Sequence, residues 1–161
     1  ACEVPVTRSH LIIAAAGGSL ALLLGAFGFQ MLGYAPCQMC VWQRWPHAAA
    51  IAIGVVALAV PGRALPLLGA LAALTTAGIG VFHTGVERDW WEGITACAAA
   101  GDITGLSASD LLDTSRQIGP PLVRCDEVAW DFLTLSMASW NVLISLGLAA
   151  IWLLAARKHT A

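Results

Sequence analysis

From Leu11 to Met31 the chain carries no charged residue, and that run constrains the fold more than any other feature. A helix rises 1.5 Å per residue, so about 20 apolar residues cross roughly 30 Å of hydrocarbon. Three further runs of similar character follow, at about residues 41–60, 64–83 and 132–156. Backbone N–H and C=O groups find no water in lipid, so such runs must be helices rather than open strands. The expected architecture is all-α: one domain over residues 1–161, an integral membrane four-helix bundle with a long loop at about residues 84–131. Pro61-Gly62-Arg63 forms a tight connection between the second and third spans, and Gly17-Gly18, Gly25 and Gly28 are expected to let a neighbouring helix approach the first.

Composition agrees. Hydrophobic residues make up 58% of the chain and charged residues 11%, against about 25% charged in an ordinary soluble domain. Net charge is −2 with no basic block, which excludes a nucleic-acid partner. The first apolar run is too long for a signal-peptide core and lacks a clean small-residue cleavage site, so a span is expected there. Within the long loop, Ser109-Asp110-Leu111-Leu112-Asp113 begins like a capped helix with an apolar edge, predicting a short helix on the membrane surface.

Basic residues give the orientation. Arg8, Arg63, Arg157 and Lys158, four of the eight Lys and Arg residues, must share one side, whereas the long loop holds nine of the ten acidic residues. Short Lys- and Arg-rich segments stay cytoplasmic. Both termini are therefore expected in the cytoplasm, with Cys37, Cys40, Cys97 and Cys125 on the outer face. Trp42, Trp45, Trp90 and Trp91 fall near the outer boundary, as in any membrane helix.

The chain has five cysteines. Cys37 and Cys40 form a C-x-x-C at a helix start, Cys97 and Cys125 lie in the outer loop, and Cys2 is an isolated thiol near the N-terminus. Two structural bridges would staple the loop, but a bridge closing a two-residue gap restrains little chain entropy. Four thiolates would also suit tetrahedral zinc, yet the loop pair lacks zinc-ribbon spacing. Redox chemistry uses the position better, because helix amides and the helix dipole stabilise a thiolate there. No resident metal is expected.

Cys40, Arg44 and His47 stand at i, i+4 and i+7 and so share one helix face. Ionisable residues inside spans normally face the bundle interior and mark a functional path. The competing reading makes Arg44 an anchor that snorkels to headgroups, and His47 a filler of the backbone site opened by Pro46. His83 ends the third span at a similar depth. Cys40, Arg44 and either histidine would supply a thiolate and a donor beside an apolar slot, which is what a quinone ring needs. A fixed guanidinium would stabilise negative charge gained by the ring.

The chain resembles the DsbB family of disulfide-forming membrane proteins. The resemblance covers most of the chain and rests on Pro36-Cys37-Gln38-Met39-Cys40-Val41-Trp42-Gln43-Arg44, on His83-Thr84, on Cys125 followed by Trp130-Asp131-Phe132-Leu133, and on Met137-Ala138-Ser139-Trp140. The C-x-x-C precedes the loop pair, as in that family and unlike the vitamin K epoxide reductases. The resemblance implies a thiol:quinone oxidoreductase of the bacterial inner membrane whose active cysteines are periplasmic. A reduced DsbA-type dithiol protein would attack a Cys97–Cys125 disulfide, through Cys97. Electrons would then pass to Cys37–Cys40 and from Cys40 to ubiquinone or menaquinone. Arg44 and His83 match family residues at the quinone, and Met137 would line the same pocket. His47 and Cys2 have no family counterpart. A paralogous oxidase serving a specialised partner, or a structural or metal-binding membrane subunit, are the alternative readings.

Overall fold

The computed structural model describes residues 6–93 and 124–158. Helix α1 spans Arg8–Met31, α2 Gln38–Ala59 and α3 Ala64–Glu87. A two-strand hairpin, β1 (Asp131–Phe132) and β2 (Leu135–Ser136), leads into α4, Met137–Arg157. Each helix packs on two others, α1 and α3 both lying against α2 and α4. The result is the expected all-helical membrane bundle. Cys2, Cys97 and the expected surface helix near Ser109 lie outside the described residues.

Local chemistry sets the helix starts. Thr7 caps α1 by accepting from the His10 amide at 3.3 Å, and His10 Nδ1 accepts from the Thr7 amide in return. Ser136 Oγ caps α4 by accepting from the Ser139 amide at 3.2 Å. Cys37 caps α2, its sulfur accepting from the Cys40 amide at 3.3 Å. Each satisfies a first-turn amide that has no partner within its helix.

Among the described residues three helices, α1, α3 and α4, are long and apolar enough to cross a membrane. Four such spans were expected, and α2 is the exception. Its first half carries Gln38, Gln43, Arg44 and His47, which lower its hydropathy, but Gln43 and His47 are buried inside the bundle. Two boundaries also move. Helix α3 runs past residue 83 to Glu87, and α4 begins at Met137, because the first residues of the expected fourth span form the hairpin. Its two-residue turn, Leu133-Thr134, has φ values of 52° and 64°, the left-handed geometry that a tight hairpin demands but that usually selects Asn and Gly.

The packed centre is built from small residues around one large one. Trp152 is fully buried among Ile12, Ala15, Ala57, Ala70, Ala73 and Ala155. Around the girth, Leu24, Val55, Leu71 and Leu143 are exposed, as lipid-facing positions should be. Of the glycines expected to admit a neighbouring helix, Gly18 abuts Leu148, but Gly17, Gly25 and Gly28 have nothing within 4 Å of an added Cβ. Other close approaches fall elsewhere. A Cβ on Gly69 would meet the Trp152 ring at 2.6 Å. Gly69→Val should therefore destabilise the bundle by about 2 kcal/mol, read as a lower thermal midpoint in detergent, whereas Gly17→Val should change it little. Equal midpoints for the two variants would refute this packing assignment.

One end of the bundle holds Arg8 and Lys158, each bonded to a backbone carbonyl of a neighbouring segment. Arg8 donates to the Ala57, Val60 and Gly62 carbonyls at 3.0, 3.2 and 3.1 Å, and Lys158 donates to the Val6 carbonyl. The first, second and fourth helices thus meet where the sequence required a shared side.

Candidate active site

The opposite end holds the thiols. As N-cap, Cys37 is buried and Cys40 follows in the first turn, with their sulfurs 3.0 Å apart. Cys37 and Cys40 are both free thiols here. Cys125 is 1% exposed and packs with Cys37, Cys40, Met39 and Val86 in one cluster. The turn carrying it is braced by Arg124, which donates to Asp126 from Nε at 3.0 Å and from Nη2. Those hydrogen bonds hold the exposed Asp126 carboxyl below its usual range.

His83 meets this cluster through its Nε2 edge. Its Nε2 lies 3.5 Å from Cys37 Sγ and 3.7 Å from Glu87 Oε1, and its ring is hydrogen-bonded by the Cys125 backbone. Glu87, brought there by the last turn of α3, is itself held by Ser136 Oγ. The sulfurs of Cys37 and Cys40 and a ring nitrogen of His83 lie within 4.8 Å of one another.

Beyond Cys40 a cavity of about 450 Å³ opens between α1, α2 and α4, within the size range of small-molecule sites. Its walls are mostly apolar, including Leu22, Ala26, Phe29, Trp130, Phe132 and Trp140. Cys40, Arg44, His47, Gln43, Asn141 and Met137 supply the remaining chemistry. Arg44 donates to Gln30 Oε1 at 2.8 Å and to the Ala26 carbonyl at 3.5 Å, with its guanidinium 4.8 Å from the Phe27 ring centre. Its Nε is buried without a partner among the described residues. Met137 lines both this cavity and a small one of about 40 Å³ beside Cys37 and His83.

His47 is not filling the backbone gap made by Pro46. Its Nε2 bonds Asn141 Oδ1 at 2.9 Å and Thr76 Oγ1 at 3.3 Å. Asn141 Nδ2 donates to Gln43 Oε1 at 2.7 Å, and Gln43 Nε2 donates to His83 Nδ1 at 3.0 Å. The two histidines therefore stand at opposite ends of one buried polar chain. Gln43, Thr76, Asn141 and Glu87 carry no role in the sequence reading. Asn141, a lone amide inside an apolar helix, was the available signal, since intramembrane polar groups seek partners on neighbouring helices.

The family model for disulfide bond formation protein DsbB matches residues 8–155. This chain belongs to the DsbB family. Relatives named disulfide bond formation protein B include one from Methylococcus capsulatus, 34% identical over 83% of this chain and 85% of the relative. One from Dechloromonas aromatica is 33% identical over 83% of this chain and 82% of its own length. A third, from Stutzerimonas stutzeri, is 27% identical over 91% of this chain and 92% of the relative. No solved structure matches the chain with statistical significance. As a DsbB-family member it is a disulfide bond formation membrane protein with an oxidoreductase role. The touching thiols of Cys37 and Cys40 share one packed cluster with Cys125.

Proposed function

We propose that the chain is a quinone-dependent oxidase that regenerates a periplasmic DsbA-type dithiol protein, with electrons passing from Cys97/Cys125 to Cys37/Cys40 and on to ubiquinone or menaquinone. One observation carries the reading: Cys40 lines both the thiol pocket shared with Cys37 and His83 and the large apolar cavity. A sulfur so placed exchanges with another disulfide on one side and faces a planar hydrophobic oxidant on the other. Cys125, packed on the pair, fits the sulfur that hands electrons inward.

The residues present fit a quinone. The cavity is apolar, and a buried donor on its lining, Arg44 Nε, has no partner among the described residues. When bound, the quinone supplies a two-electron, two-proton acceptor, matching the two electrons and two protons released as Cys37 and Cys40 close to a disulfide. Arg44 would place positive charge where charge develops, in a low-dielectric setting. Met137, on the wall between thiols and cavity, would exclude water. His83 would act on the Cys37 side, and His47 on the quinone side. A DsbA-type oxidant sits near −120 mV, so ordinary disulfides do not reoxidise it and the quinone supplies the drive.

By the distribution of basic residues, the site faces the periplasm of a bacterial inner membrane, with both termini cytoplasmic. Purified chain reconstituted in lipid with ubiquinone should oxidise a reduced DsbA-type protein, with stoichiometric loss of thiols and appearance of hydroquinone. Thiol loss without hydroquinone would refute the quinone-linked reading. A partner oxidised far faster than the general one would favour the specialised paralogue. The proximity of the Cys37, Cys40 and His83 donor atoms favours a metal-binding subunit as second reading. Stoichiometric zinc retained through purification, without oxidase turnover, would select it.

A further inference from the structure

We infer that His47 is a hydroxyl-accepting residue of the cavity, so that the site prefers hydroquinone over quinone; this rests on the quinone-linked reading above. Thr76 Oγ1 donates its one proton to the Gln43 carbonyl at 3.1 Å, leaving only lone pairs for Asn141 Nδ2 at 3.1 Å and His47 Nε2 at 3.3 Å. Asn141 Oδ1 accepts from Ser145 Oγ at 3.3 Å and faces His47 Nε2 at 2.9 Å. Flipping the Asn141 amide would set its oxygen against the Thr76 carbonyl, and flipping Gln43 would set its oxygen against the Met39 carbonyl. Neither flip is tolerable, because buried acceptors need donors.

Two acceptors thus face His47 Nε2, so that nitrogen carries the proton. In the neutral ring the other nitrogen, Nδ1, is then an acceptor. His47 lines the cavity and is 4% exposed, and Nδ1 is buried with no partner among the described residues. Thr76, Asn141 and Gln43 act as positioning residues that hold this tautomer. A quinone carbonyl is acceptor-only and gives Nδ1 nothing. Reduction by two electrons and two protons turns each carbonyl into a hydroxyl, which donates. The preference for hydroquinone raises the potential of the bound couple and so draws electrons from the Cys37–Cys40 dithiol.

The test uses the full chain in lipid nanodiscs with Cys40→Ser, which blocks electron exchange, and measures equilibrium binding of a short-chain ubiquinone and of its hydroquinone. His47→Gln places an amide nitrogen near Nε2, keeping the bonds to Asn141 and Thr76, but removes the Nδ1 acceptor. It should cut the hydroquinone-to-quinone affinity ratio about tenfold, equivalent to about 30 mV for a two-electron couple, with quinone affinity little changed. An unchanged ratio, or equal loss of both ligands, overturns the assignment. If the Cys40→Ser chain binds neither ligand, the quinone-linked reading itself fails and this inference with it. Should His47→Gln not fold, ¹⁵N shifts of His47 in the Cys40→Ser chain decide the matter. An unprotonated Nδ1 that responds to hydroquinone and not to quinone supports the proposal, and a protonated Nδ1 overturns it.

Discussion

Cys40→Ser should reduce quinone-coupled oxidation of a DsbA-type partner by at least about a thousandfold, because a residue acting as part of a nucleophilic unit takes most of the unit's rate with it. The fold should survive. Cys40 is in the first turn of α2, and its amide bond to Cys37 Sγ does not involve its own sulfur. A serine there still fills nearly the same volume. Helicity and thermal midpoint should therefore match the parent while hydroquinone production stops. Turnover within tenfold of the parent would remove Cys40 from the electron path. Cys37→Ser keeps a capping acceptor for α2 and changes the contact to His83, so it should be equally inactive and should also stay folded.

Arg44→Ala should raise the apparent KM for quinone by about tenfold to a hundredfold, the range expected for losing a hydrogen bond to a charged donor. Arg44→Lys should fall between, because an ammonium lacks the planar fork of the guanidinium. Arg44 also ties α2 to α1 through Gln30, so an effect on KM could reflect a loosened wall. Gln30→Ala breaks that tie while leaving the guanidinium in place, and it should shift KM far less. If Gln30→Ala and Arg44→Ala behave alike, the arginine is a strut. If Arg44→Ala leaves KM unchanged, it is an interface anchor.

The histidines illustrate what a linear reading resolves. Helical spacing put Cys40, Arg44 and His47 on one face of α2, and the structure keeps Cys40, Arg44 and His47 on the walls of the same cavity. Spacing also placed His83 at a comparable depth, but depth is not direction. His83 lies against Cys37 and Glu87, because α3 extends four residues beyond the expected end and its last turn faces the thiols. The hairpin before α4 has no local signature. Phe132 and Leu133 are as apolar as the helix that follows, and Leu133-Thr134 offers none of the Asn-Gly chemistry that announces a tight turn.

The sequence by itself determined that the chain is a helical membrane bundle, that Arg8, Arg63, Arg157 and Lys158 share one side, and that a C-x-x-C opens the second helix with an arginine one turn inward. These properties follow from composition and from periods of three to four residues, which the chain displays locally. Only the tertiary structure decided that α2, too polar to pass as a span on its own, is buried along its polar face; that Cys125 rests on the pair; and that His47 rather than His83 faces the cavity. Those outcomes depend on hydrogen bonds between residues 29 to 98 positions apart. No local period encodes such pairings: each polar group is costly to bury alone, and which partner relieves the cost is fixed when the helices pack.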